Sequence, residues 1–238
     1  MNGIIVAAGR SSRLYPRTLD TPKCMLEING ESLIHRSIRL MKTHGVTKIY
    51  VTLGFYAEKL RDHLPEDVHC VYNPFYATTN NMVSLWLAIP HVRNDDILYQ
   101  HSDLIYQPEL LPEFLNNIDS HSLELAVEYG SVHEEAMKVE AKENTYLQSN
   151  KKMDRQLATG EWIGLARIPE VKQSPLYEVI NQCLMDEQYQ AYDTKAFNRL
   201  ATHSPGSIQI RDIDGREWME IDNEEDWQGA LQTFGDPR

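Results

Sequence analysis

The chain has 238 residues, a formal net charge of −12 and 42% hydrophobic residues, enough for one sizeable core. No apolar run approaches the roughly 20 residues that a membrane span needs, and the acidity excludes a general nucleic-acid surface. Cys24, Cys70 and Cys183 are too scattered for a paired zinc motif or a disulfide framework, and the N-terminus lacks a secretory pattern. The expectation is a cytoplasmic protein with small-molecule partners, no nucleic acid and no membrane.

In chain order, residues 3–7 predict a short buried strand. Residues 31–44 predict a helix, with Leu33, Ile34, Ile38 and Met41 near helical spacing and Gly45 as the stop. A β-branched strand follows at 48–53, a helix at 56–63, a strand at 69–72, a buried helix at 81–88 and a strand at 97–100. Strands and helices that alternate with short links imply a parallel, doubly wound α/β sheet. After about residue 123 the pattern changes. Strands are predicted at 123–129, 137–141 and 162–168, helices at 176–186 and 194–201, strands at 207–212 and 218–221, and a last helix at 223–234. No repeat or low-complexity linker divides the chain, so residues 1–238 read as a single domain with halves of about 1–122 and 123–238.

The stretch "IIVAAGRSSRLYPRTLDTPKCML", residues 4–26, stands out. An apolar strand ends at Ala7-Ala8-Gly9. Arg10, Arg13, Arg17 and Lys23 follow closely, opposed only by Asp20. Four cations on a loop of an acidic protein are most often a solvated surface. Here they follow the first strand of an α/β sheet, the edge at which ligands bind. Small side chains let a ligand approach the backbone, the amides of residues 10–13 suit phosphate oxygens, and Arg13 and Lys23 offer a planar fork and a point charge. Neither G-x-x-x-x-G-K-[ST] nor G-x-G-x-x-G is present, so this is not a P-loop or a dinucleotide fingerprint.

The segment "AAGRSSRLYPRTLDTPKCMLEINGESLI" resembles the signature of pyrophosphorylase-type nucleotidyltransferases, roughly A-A-G-x-G-[ST]-R-L/M, then P, then P-K. Ser11 stands where that family usually has a second glycine. "NPFYATTNNMVSLWLA", residues 73–88, resembles the N-N-x-x-S-L-x-x-A segment of bacterial phosphocholine cytidylyltransferases. "EWMEIDNEEDWQGAL", residues 217–231, resembles the segment that ends those enzymes. "MKVEA" and "GEWIGLARI" are similar to strands of a branch that acts on aminoalkyl phosphonates. The resemblance implies a nucleotide-diphospho-sugar transferase or GT-A-like fold: a Rossmann-like, mostly parallel mixed sheet flanked by helices. It implies transfer of CMP from CTP to a small phosphate or phosphonate acceptor, of the phosphocholine or 2-aminoethylphosphonate type, with release of pyrophosphate. Sugar-1-phosphate nucleotidyl transfer and non-catalytic nucleotide binding are the alternatives. Monomer and homodimer both remain open.

By this resemblance Arg13 and Lys23 are the catalytic cations. Ala7, Ala8, Gly9, Arg10, Asn80, Asn81 and Ser84 are expected at the nucleotide, although Asn80 equally suits a helix cap. Asp103 and Asp222 are implied as ligands of Mg2+. Each alone is more often a turn residue or a cap. The family often has Asp-x-Asp at the first position, whereas this chain reads "HSD", with His101 in place of the first aspartate. A cationic acceptor head-group calls for aromatic faces and carboxylates. The second half offers Glu161 beside Trp162, Tyr192 beside Asp193, and Trp218 near Glu220, with Lys138 and Lys152 as candidates for the acceptor's phosphonate. Core packing is the commoner fate of such aromatics.

Overall fold

A computed structural model describes residues 1–92, 94–116, 119–130 and 132–235. In chain order the elements are β1 (Asn2–Ala7), β2 (Glu27–Ile28), β3 (Glu31–Ser32), α1 (Leu33–Thr43), β4 (Lys48–Leu53), α2 (Ala57–His63), β5 (His69–Tyr72) and α3 (Asn81–Ala88). They continue with β6 (Ile97–His101), β7 (Leu104–Tyr106), α4 (Leu110–Phe114), β8 (Leu123–Tyr129), β9 (Lys138–Lys142), β10 (Thr145–Ser149) and β11 (Gly160–Ile168). The chain closes with α5 (Glu170–Met185), α6 (Asp193–His203), β12 (Ile208–Asp212), β13 (Trp218–Glu220) and α7 (Glu224–Phe234).

Nine strands form the central sheet in the order β5-β4-β1-β6-β11-β8-β12-β10-β9. The first four are parallel, with Ile4 of β1 in register with Tyr50 and Tyr99 on its two sides. Beyond β6 the sheet is mixed. β11 runs antiparallel to β6 and β8, β12 is parallel to β8, and β10 is antiparallel to β12 and β9. All of β1 is buried, because helices cover both faces of the sheet. Ile4, Val6 and Tyr99 pack on the face of α3, α5 and α6; Ile5, Ala7 and Leu98 pack on the face of α1, α2 and α4. A third cluster joins the two ends of the chain. Leu14 and Ile28 from the N-terminal segment meet Ile221 and Trp227 from β13 and α7. Fully burying a side chain such as Leu14 contributes about 1.5–3 kcal/mol, so this cluster holds the cationic turn against the C-terminal segment.

Several predicted boundaries shift for identifiable reasons. The helix expected from residue 31 starts at Leu33. Asn29 (φ 56°) and Gly30 (φ 73°) make a two-residue turn that pairs β2 with β3, and the Ser32 hydroxyl accepts from the His35 amide to cap α1. The helix expected from 176 begins at Glu170 and carries Pro175 inside it, at the cost of one hydrogen bond to Val171. β7, α4 and β10 are short elements that the sequence pattern did not reveal. Among the described residues no helix is long and apolar enough to cross a membrane.

Candidate active site

The carboxyl ends of β1 and β6 open into a cleft of about 330 Å³. Ala7 and Ala8, 4% and 7% exposed, form its floor, and Gly9 lies at its mouth. Ser11, in the glycine position, adopts a left-handed conformation (φ 52°, ψ 42°), and its carbonyl accepts from the Leu14 amide and the Thr18 hydroxyl.

The four cations of the turn separate. Lys23, 8% exposed, lies between two carboxylates: Nζ is 2.8 Å from Asp103 Oδ2 and 2.9 Å from Asp222 Oδ1. Arg13 donates to the other oxygen of Asp222 at 2.6 Å. Arg17 instead makes a bidentate pair with Glu224 and lies over the Trp227 ring, and Arg10 lies over Tyr76. Arg13 and Lys23 thus face the cleft, Arg17 fastens α7, and Arg10 sits outside the lining. Burial pulls the Lys23 ammonium pKa down, but Asp103 and Asp222 outweigh it and hold the pKa above its ordinary value. Burial pushes Asp103 up, but Lys23 and then His101 hold it below the usual carboxylate range. Asp222 is not the cap of α7; Asn223 fills that position in a capping box with Asp226.

Asp103 and Glu220 are joined by His101, and one ligand atom from each of the three lies within 4.8 Å of the others. Burial, followed by repulsion from Asp103 and Asp222, pushes the Glu220 carboxyl up to about 7. Asp103 Oδ1 is buried with no hydrogen-bond partner among the described residues. A buried orphan oxygen with carboxylates of Asp222 and Glu220 along the same cleft makes a hard oxygen donor set that fits Mg2+.

Asn80 is a cap: its side chain accepts from the Asn81 amide at 2.8 Å. Asn81 points across the cleft, where Oδ1 accepts from the Asp193 amide at 2.9 Å and the amide nitrogen packs 3.1 Å from His101 Nε2. Ser84 accepts from the buried Asn73 side chain. Asp193, fully buried, accepts from Tyr99 Oη at 2.5 Å, from His101 Nε2 at 2.9 Å and from the Thr194 amide. Its carboxylate, expected at an acceptor cation, is therefore already engaged in joining β6 to the start of α6. Burial disfavours charge on His101, but Asp193 and Asp103 outweigh it and its pKa is pushed up to about 9.

The other acceptor candidates divide. Trp162 lines the cleft, edge-on to His101 at 5.0 Å, and Tyr192 lines it with 42% exposure. Lys138, Lys152, Glu161 and Trp218 do not reach it. The Lys138 ammonium, 2% exposed, donates to backbone carbonyls of Glu134, Ala136 and Lys151. Lys152 lies in a neighbouring groove with Lys138. Glu161 faces His133, and Trp218 Nε1 donates to Glu128. Lys151 was missed: it lines the cleft, with Nζ 5.4 Å from the Tyr192 ring centroid, and nothing in "NKKMD" separates it from Lys152.

A cleft at the carboxyl edge of parallel strands, with cations gathered over acidic residues, is the site of a nucleotidyltransferase fold. Residues 3–193 match the MobA-like NTP transferase domain, and the chain belongs to that family. It is 36% identical over 100 residues to the choline-phosphate cytidylyltransferase of Streptococcus pneumoniae, a match that covers 41% of this chain and 43% of that protein. The CTP:phosphoglutamine cytidylyltransferase of Campylobacter jejuni is 31% identical over 123 residues, 49% of each chain. The 2-aminoethylphosphonate cytidylyltransferase of Lancefieldella rimae is 34% identical over 113 residues, 46% of this chain and 43% of that protein. The matches thus span less than half the length of these relatives. In structure, the CTP:phosphocholine cytidylyltransferase of S. pneumoniae superposes with a TM-score of 0.81 at 21% identity over 98% of both chains. The inositol-1-phosphate CTP transferase of T. maritima gives 0.80 at 19% identity, over 99% of this chain and 98% of that one. Both show the α/β fold with its mixed central sheet.

Proposed function

We propose that the chain transfers CMP from CTP to a small phosphate or phosphonate acceptor of the phosphocholine or 2-aminoethylphosphonate type and releases pyrophosphate. One observation carries this reading. Lys23 contacts Asp103 and Asp222 within 2.9 Å, and Arg13 meets the same Asp222, although Lys23 and Asp222 are 199 residues apart. The relatives that act on phosphocholine, phosphoglutamine and aminoethylphosphonate by name support the acceptor class.

An anionic oxygen of the acceptor forms the new bond to the α-phosphorus while the bond to the β-phosphate oxygen breaks. Phosphate oxygens are already ionised, with a second pKa near 6, so no general base is needed. Catalysis is positioning and neutralisation of developing charge. Arg13 binds the β and γ phosphates, and Lys23 faces the α-phosphate and the breaking bond. Ala7 and Ala8 let the nucleotide approach the floor. Tyr192 and Lys151 border the acceptor's end, where Lys151 supplies positive charge for a phosphate or phosphonate. Asp103 and Asp222 would hold magnesium, which supplies neutralisation of the departing pyrophosphate.

The test is a matrix of pyrophosphate-release assays: CTP, UTP, ATP and GTP against phosphocholine, 2-aminoethylphosphonate, phosphoglutamine and glucose 1-phosphate. Release is expected with CTP and one of the first three acceptors, and it should vanish with a chelator and return with magnesium. Release with glucose 1-phosphate alone would overturn the acceptor class.

A further inference from the structure

Beside the cleft runs a second, wider groove of about 890 Å³, and the two share Met137, Lys151 and Tyr192. Its charge is the reverse of the chain's. Lys151, Lys152, Arg155 and Lys195 line it against Glu134 and Glu135, in a protein of net charge −12. Among the described residues Lys151, Lys152 and Lys195 stand in ion pair with no carboxylate, and Arg155 reaches Glu134 only at 4.0 Å. Thr194, 4% exposed, also lines the groove, and its hydroxyl donates only to the Met137 sulfur, at 3.6 Å. A thioether is a weak acceptor, so that proton is free to turn to a stronger one. The cleft's provisions for a cationic head-group are meanwhile taken. Asp193 is held by Tyr99, His101 and the Thr194 amide, and Lys151 Nζ already lies over the Tyr192 ring, the face that an ammonium would need. The other carboxylates of the cleft, Asp103, Glu220 and Asp222, lie at its Lys23 end.

We propose that the acceptor carries a carboxylate beyond its phosphate or phosphonate group, and that this groove binds it through Lys152, Lys195 and Arg155, with the Thr194 hydroxyl as a further donor. The inference rests on the CMP transfer proposed above and narrows its acceptor to one built like a phosphorylated amino acid. Lys151, common to cleft and groove, faces the oxygens on phosphorus, and the cations beyond it face the carboxylate. Two ammonium groups and a guanidinium fork make charge-assisted hydrogen bonds to such a group. These cations also repel one another, and an arriving carboxylate relieves that repulsion. A head-group that ends in an ammonium alone gains nothing here, because it would meet charges of its own sign.

Matched acceptor pairs that differ by the carboxylate alone test this: phosphoserine against phosphoethanolamine, phosphohomoserine against 3-aminopropyl phosphate, and 2-amino-3-phosphonopropionate against 2-aminoethylphosphonate. Their affinities are read by titration calorimetry on the full chain with Mg2+ and a CTP analogue whose α and β phosphates are bridged by methylene, so that no turnover is needed. The carboxylate-bearing member should bind about tenfold or more tighter in at least one pair, the scale of a charge-assisted contact. The double variant Lys152→Gln, Lys195→Gln, at two exposed positions, should bring that ratio to about twofold or less in protein that stays folded by circular dichroism. Equal affinities in all three pairs, tighter binding of the carboxylate-free members, or no binding of any of the six would each overturn the groove's role. So would a preference that survives the double variant, or a variant that weakens both members of a pair alike. Pyrophosphate release from CTP with no preference for the carboxylate would overturn the groove and leave the proposed transfer standing. A preference that the double variant removes, with no pyrophosphate release from any acceptor, would do the reverse.

Discussion

Lys23 and Lys138 are the buried lysines among the described residues, 8% and 2% exposed, and their surroundings differ in kind. Lys23 is held by the carboxylates of Asp103 and Asp222 at the wall of an open cleft. Lys138 is held by the carbonyls of Glu134, Ala136 and Lys151, which it ties into one loop structure beside β9. A cation between carboxylates can share its charge with an arriving phosphate, because all its partners are anions in a polar cleft. A cation that satisfies three backbone carbonyls cannot turn away without leaving them unpaired. Burial of a lysine alone therefore says little; the chemistry of its partners separates a working ammonium from a structural one.

Lys23→Ala tests this comparison most severely. It should lower turnover about 10²–10³-fold, the scale for losing one preorganised electrostatic partner, in protein that stays folded by circular dichroism. Near-normal turnover at saturating substrate would erase the distinction. Lys138→Met should do the opposite, with kcat nearly unchanged and a stability loss of about 2–4 kcal/mol from unpaired carbonyls, read in urea unfolding. If it abolished turnover in folded protein, the lysine of β9 would be functional after all.

The third test uses Glu161, the cross-strand neighbour of Lys138 on β11. Burial, then Glu128, pushes its carboxyl up to about 7 from an ordinary 4.5. The unfolded chain gives up this proton near pH 4.5 and the folded chain near pH 7. Its contribution to stability is therefore complete below about 4.5, declines as pH rises, and is gone above about 7. Glu161→Gln should remove that decline and stabilise the protein at pH 8 by about 1–3 kcal/mol. Equal urea midpoints for the two proteins at pH 8 would show that Glu161 is not carrying this strain. The smallest effect is expected at Ser11, back in the cleft. Ser11→Gly relieves a left-handed serine and should add about 0.5–1 kcal/mol, visible as a small rise in Tm.

The strands and long helices were legible because both layers of the sheet impose simple patterns: the unbroken apolar run of β1, and the spacing of Leu33, Ile34, Ile38 and Met41. The hairpin at Asn29-Gly30 was also written in the sequence as an Asn-Gly turn signal, but the helical pattern downstream masked it. At the site, Arg13 and Lys23 could be nominated from the motif in the segment that follows β1, and Asp103 and Asp222 from motifs that place each just after a strand. Their partners could not. That Asp193 would turn inward to Tyr99 and His101, and that Lys151 rather than Lys138 would reach the cleft, depends on how β9, β10 and α6 pack on β6 and β11. Adjacent lysines and acid–aromatic pairs look alike in a string of letters; only the third dimension assigns them.

The pairing of Lys23 with Asp222 has a consequence for biosynthesis. A ribosome adds the 199 residues that separate them in about 10–40 s at 5–20 residues per second. For that whole interval the cationic turn exists without the carboxylate that completes its surroundings, and without the Ile221 and Trp227 side chains that clasp Leu14. Until then the nascent chain lacks both the carboxylate and the packing that fix Lys23 and Leu14 in the cleft wall. Its last strand and helix act as the closing step of assembly, so a product cut short near residue 217 would keep the whole nine-stranded sheet and still lack a finished cleft.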